Sequence, residues 1–197
     1  MPTGVALRDP RQQLFDAAER VLLHAGPNAL TSRAVTEEAG CAKGVLHRHF
    51  ADFDAFLAEL VRDRAARLRE RAAALRAAAG TGAVVDHLTT ALTELFGPVA
   101  VALVALVTSR DGLRARLRGD APTGVPLLTE AAAAIAAYLE AERGHGRIEP
   151  AADVDVLAPT LIGAGHLLFA DRTGTAPRTA DVRKMVTGVL ATAAREP

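Results

Sequence analysis

Between Leu14 and Phe50 three short apolar runs are separated by glycines, and this stretch restricts the fold more than any other part of the chain. Leu14, Ala17, Ala18, Val21 and Leu22 recur at three- and four-residue spacing and so line one face of a helix. Pro10 suits that helix's first turn, where its missing N–H would have no partner. Gly26-Pro27-Asn28 ends it, and Leu30 returns to the same small core. Thr31 is placed to cap a second helix, 31–39, that buries Ala34, Val35 and Ala39 and keeps Glu37 and Glu38 wet. Gly40 supplies the left-handed conformation of a sharp turn between helices. A third helix, 43–50, is anchored by Val45, Leu46 and Phe50 and leaves Lys43, Gly44, His47, Arg48 and His49 open.

Two helices joined by a tight turn, the second with an open cationic face, have the shape and charge that enter a DNA groove. The candidate DNA contacts are Thr31, Arg33, Lys43, Gly44, Val45, His47, Arg48 and His49. Lys and Arg number 23 and Asp and Glu number 23, so no global basic field assists binding. The basic patch must be local, around Arg33, Lys43, His47, Arg48 and His49.

From Leu14 to about Val61 the chain resembles the TetR family of bacterial transcriptional repressors. The resemblance rests on Ala17-Ala18, Gly26, Thr31, Val35, Ala39-Gly40, Lys43-Gly44, Leu46, His49-Phe50 and Leu57 in their mutual spacing. It implies an all-helical homodimer, with three N-terminal helices on DNA and a C-terminal domain for ligand binding and dimerisation. The chain departs from the pattern at Ala42, His47 and Phe53, where the family often has Ser, Tyr and Lys. Ala42 cannot cap the third helix, a loss of about 1 kcal/mol. Phe53 removes a phosphate contact.

The remaining sequence reads as helices punctuated by clear breakers. Asp52 caps a long helix to about Ala79, packed on the DNA unit through Phe53, Phe56, Leu57 and Leu60 and rich in Arg and Ala beyond. After Gly80-Thr81-Gly82, helices are expected at 83–96, 98–109, 126–143, 153–172 and 180–195, with a short one near 112–117. The fold class is all-α with about nine helices. It divides into a helix-turn-helix domain (1–51), a connecting helix (52–79) and a helical bundle for ligand binding and dimerisation (80–197).

Val182, Met185, Val186, Val189, Leu190 and Ala193 form an apolar stripe too wide for a terminal helix in water, and Leu157, Leu161, Gly165, Leu168 and Phe169 form another. Gly163, Gly165 and Gly188 each cost about 1 kcal/mol inside a helix, which close helix approach offsets. The expected dimer contacts are Leu161, Gly165, Leu168, Phe169, Met185, Gly188 and Val189; the alternative is that both stripes complete the monomer's core. A ligand cavity is expected around the all-apolar run Val99 to Val107, between the helices at 83–96, 98–109, 126–143 and 153–172. Its candidate residues are His87, Leu88, Leu92, Phe96, Val104, Thr108, Tyr138 and His166, a mainly aliphatic set with few polar groups that points to an apolar ligand.

Other chemistry finds no support in the sequence. His47 and His49 diverge on a helix, and no His, Cys and carboxylate set has metal spacing. Phosphate-binding, dinucleotide-binding and Ser-nucleophile motifs are absent, so neither enzymatic activity nor a cofactor is expected. The lone Cys41, the polar start at 1–11 and the shortness of the most apolar run, 95–107, lead to the expectation of a cytoplasmic protein with no membrane partner. The reading is a transcriptional regulator, a repressor released from double-stranded operator DNA by an apolar small molecule. The alternative is a small-molecule or partner-binding dimer of the same fold with weakened DNA binding.

Overall fold

The computed structural model describes residues 9–119, 124–170, 176–191 and 193. Its elements are α1 (Pro10–Ala25), a 3-10 turn (Pro27–Ala29), α2 (Ser32–Glu38), α3 (Gly44–His49), α4 (Phe53–Ala77), α5 (Val84–Leu95), α6 (Pro98–Ser109), α7 (Asp111–Leu117), α8 (Pro126–Gly144), α9 (Val154–Phe169) and α10 (Thr179–Leu190). Among the described residues there is no strand. The expected ends of the last two long helices, at 172 and 195, lie outside the described residues. No single helix among the described residues is long and apolar enough to cross a membrane.

Two compact units divide the chain within helices rather than between them. The first runs to Asp63 and includes the segment from Ala102; the second holds Arg64–Val101 and the chain from Gly124 onward. Helices α4 and α6 therefore each contribute residues to both units.

In the first unit, Asp9 caps α1 by accepting the Gln12 N–H at 3.1 Å, and Pro10 fills the first turn. Thr31 caps α2 by accepting the Ala34 N–H at 3.1 Å. The buried residues of α2 are Val35 and Thr36; Ala34 and Ala39 are only half-buried. Thr36 carries a polar hydroxyl into this buried face. It is satisfied locally, donating to the Ser32 and Arg33 carbonyls at 3.1 and 3.0 Å. Gly40, at φ +64°, closes the turn as its N–H donates to Glu37, while the Cys41 N–H reaches back to Thr36. Phe15, Phe50 and Phe56 meet with ring centroids 5.0 to 5.8 Å apart and join α1, α3 and α4. Asp52 caps α4 by accepting the Ala55 N–H at 2.7 Å and forms an ion pair with Arg116 of α7.

In the second unit α5 lays Val84, Leu88 and Leu92 into a core shared with Ile135, Tyr138 and Leu139 of α8, Leu161 of α9, and Val182, Val186 and Leu190 of α10. Gly165 allows α9 to approach Phe96: a Cβ there would stand 2.6 Å from the ring. Phe96 also stacks on Phe169, with centroids 5.5 Å apart.

Candidate nucleic-acid interface and ligand groove

Helix α3 buries Leu46, with Phe50 buried at its C-cap, and exposes Lys43, Gly44, His47 and Arg48; Val45 and His49 are half-buried. Its N-cap position falls at Lys43, and no side chain accepts a bond there. The acids of this region are committed to particular arginines. Arg20 bonds Glu38 at 2.5 Å, and Arg33 bonds Glu37 at 2.7 Å in an exposed pair one turn apart. Lys43, His47 and Arg48 pair with no acid among the described residues. The cationic charge of this face is thus concentrated on α3. Thr31 is exposed, but its hydroxyl is engaged as the cap of α2. Burial raises the pKa of the free Cys41 thiol above its ordinary value.

A cavity of the second unit lies elsewhere than the sequence suggests. A half-open groove of about 280 Å³ is walled by Leu68, Arg71, Ala72, Ala74 and Leu75 of α4, by His87, Thr90, Ala91, Glu94 and Leu95 of α5, and by Ala131, Ala134 and Ile135 of α8. Of the eight expected ligand residues, only His87 is on its wall. Leu88, Leu92, Phe96 and Tyr138 are packed into the core behind it, and Val104 and Thr108 belong to the first unit. His166 lies on α9 beside Phe96, ring centroids 6.1 Å apart, with Nδ1 buried and unbonded. The α4 wall is masked in the sequence, because this half of the helix is rich in Arg and Ala. The signal was there: Leu68, Ala72 and Leu75 share one face at spacings of four and three.

A buried polar chain stands behind the groove. The His87 Nδ1 lies 2.9 Å from the Tyr138 hydroxyl, which donates to Glu142 Oε1 at 2.5 Å. Glu142 is fully buried, and its Oε2 accepts the Gly80 N–H at 3.1 Å and faces Arg147 Nη1 at 3.3 Å. Arg147 also donates to the carbonyls of Thr81 and Gly82. Burial, then the bond to Glu142, holds the Tyr138 phenol far above its ordinary pKa.

The expected dimer residues divide between core and surface. Leu161 and Gly165 are buried inside their own subunit, a correction to their assignment: the helix face that carries them turns inward to Phe96 and the core. Leu168, Phe169, Met185 and Val189 are half-buried at the margin of that core. Gly188 is exposed, and a Cβ there would meet nothing within 4 Å; the same holds for Gly163. On α9 the exposed stripe is Val156, Thr160, Gly163 and Leu167, of which Leu167 is 80% exposed. Among the described residues, no group of three His, Cys, Asp or Glu side chains could hold a metal ion.

Residues 14–60 match the model of the bacterial regulatory proteins of the tetR family. Similar solved structures include a transcriptional regulator from Rhodococcus sp. Rha1, at 19% identity and TM-score 0.71, covering 95% of this chain and 99% of that one. The fatty acid degradation regulator FadR from Bacillus halodurans is similar at 17% identity and TM-score 0.71, covering 95% and 98%. A transcriptional regulator from Saccharomonospora viridis in complex with choline is similar at 18% identity and TM-score 0.68, covering 94% and 98%. At these identities the likeness is one of fold. No curated protein sequence matches the chain significantly. Residues 14–60 are thus similar in sequence to the tetR family of bacterial regulatory proteins, and nearly the whole chain is similar in fold to solved transcriptional regulators.

Proposed function

We propose that the protein is a homodimeric repressor that binds operator DNA through α3 and is released when a mainly apolar small molecule enters the groove of α4, α5 and α8. The observation that carries this reading is the free cationic face of α3, where Lys43, His47 and Arg48 stand exposed and without acidic partners among the described residues. Lys43 and Arg48 meet phosphates and His47 meets base edges, with Thr31, Arg33, Gly44, Val45 and His49 around them. Two copies place their recognition helices on half-sites about 34–36 Å apart, or a multiple of that. The copies meet through α9 and α10, where Val156, Leu167 and the open glycines 163 and 188 present an apolar surface with room for a facing helix.

Of the similar structures one is in complex with choline and another is a regulator of fatty acid degradation, so the fold alone does not choose the effector. The lining here supports a mainly apolar one: three helices contribute mostly Ala, Leu and Ile, with Arg71, His87, Thr90 and Glu94 as the polar exceptions. Helix α4 carries groove residues at one end and Asp52-capped residues of the DNA unit at the other. Ligand binding changes DNA affinity only if the ligand prefers the DNA-incompetent arrangement; a tenfold release needs about 1.4 kcal/mol of such preference.

The second reading is a ligand- or partner-binding dimer of this fold whose DNA affinity is weak. It is favoured by the commitment of Arg33 to Glu37 and by the uncapped start of α3. Selection of duplexes from a random pool, followed by a salt series on the selected sequence, separates the two. A repressor selects a two-half-site sequence and loses affinity steeply as salt rises. Failure to select any sequence at low salt leaves the second reading.

A further inference from the structure

The chain His87–Tyr138–Glu142 fixes more than the position of a ring. Glu142 receives the Gly80 N–H and faces the Arg147 guanidinium, so it serves as an acceptor. The Tyr138 phenol, held protonated by burial, has its single proton directed to Glu142 at 2.5 Å. Its oxygen is then left with lone pairs only, and the His87 Nδ1 at 2.9 Å must be the donor of that bond. A neutral His87 is therefore the Nδ1–H tautomer, and its Nε2 is a hydrogen-bond acceptor.

That nitrogen is open. Among the described residues Nε2 has no hydrogen-bond partner, and His87 stands on the groove wall. Gly82, at φ +44°, lies beside it: a Cβ at that position would come within 3.0 Å of Nε2 and crowd it. One turn and two turns further along α5, Thr90 and Glu94 add further acceptor oxygens to the same face, while the α8 wall is purely apolar.

We propose that His87 Nε2 reads a hydrogen-bond donor, a hydroxyl or an N–H, on an otherwise apolar ligand, and that Tyr138 and Glu142 set its tautomer for that task. This rests on the groove being the ligand site. A ligand that offers only an acceptor, such as an ether, leaves Nε2 unpaired and loses affinity, because a buried acceptor without a donor is costly.

The test uses matched probes, 1-naphthol and its methyl ether 1-methoxynaphthalene, titrated into the full-length protein. The naphthol is expected to bind about tenfold tighter than the ether in wild type. In His87→Phe the preference is expected to vanish, with ether affinity little changed, and in Tyr138→Phe it is expected to shrink, because the tautomer is no longer fixed. Ala91→Phe, which fills the groove, should abolish both affinities. Equal binding of naphthol and ether in wild type, blocked by Ala91→Phe, overturns the His87 proposal and keeps the groove. Tighter binding of 1-naphthoate than of naphthol, lost in His87→Phe, also overturns it, since the imidazole would then be the donor. Affinities untouched by Ala91→Phe, or no binding of any probe, remove the groove reading and the proposal with it.

Discussion

The Arg110 guanidinium stands 5.4 Å over the ring of Phe53, and the same side chain donates to the Leu30 carbonyl at 3.3 Å and lies 3.9 Å from Asp54. Phe53 stands where the resemblance to the TetR pattern implies a Lys. Here it serves the interior of its unit instead, stacking on Phe56 with centroids 5.7 Å apart while Arg110 covers its other side. Arg110→Ala removes a cation–π contact worth about 0.5–1 kcal/mol and a charged hydrogen bond of similar size, so a loss of about 1–2 kcal/mol is expected. Chemical denaturation followed by circular dichroism reads it, and an unchanged midpoint would make this residue a bystander.

On DNA, Arg48→Ala is expected to weaken binding across all sequences and to flatten the dependence of log affinity on log salt by about one. His47→Ala is expected to relax sequence preference at one position per half-site, worth about 1–3 kcal/mol of discrimination. Fluorescence anisotropy at several salt concentrations, with the selected duplex and single-base variants of it, distinguishes the two behaviours.

Two glycines of the C-terminal helices, Gly165 and Gly188, should respond oppositely to bulk. Gly165→Leu must displace Phe96 from a close contact inside the subunit, and overpacking of this kind costs about 1–3 kcal/mol. Gly188→Leu meets nothing within its own subunit, so the subunit should stay folded while dimerisation weakens. Thermal melting and analytical ultracentrifugation together check both. A stable dimer of the Gly188 variant at micromolar concentration would move the interface away from α10.

Tyr138 is the chain's single tyrosine, so its ionisation is visible without interference. Its folded pKa lies far above the unfolded value of about 10, so the phenol contributes stability that is fully present below pH about 10 and lost as pH rises beyond it. Tyrosinate absorbance is expected to appear together with loss of helicity rather than before it. Tyr138→Phe, which leaves a buried Glu142 oxygen unpaired, should cost about 1–3 kcal/mol at neutral pH and soften the alkaline loss.

The sequence by itself determined every element set by local chemistry. Thr31, Gly40 and Asp52 start or stop helices through bonds to near neighbours, Pro10, Pro98 and Pro126 fit a first turn without an N–H, and α6 runs over Pro98–Ser109 from the break at Gly97-Pro98. The three-helix unit and the exposure of Lys43, His47 and Arg48 follow in the same way, from apolar periodicity within some forty residues. Tertiary structure alone decided which side of each long helix meets which neighbour. Leu161 and Gly165 belong to an apolar stripe in the sequence, and Phe96, nearly seventy residues earlier, seals it at Gly165. The groove was hidden for the same reason, because its α4 wall is a minor apolar face on an arginine-rich helix. Periodicity shows that a helix has an apolar face. Only the packing of other helices shows whether that face is sealed, left as a cavity or turned to solvent.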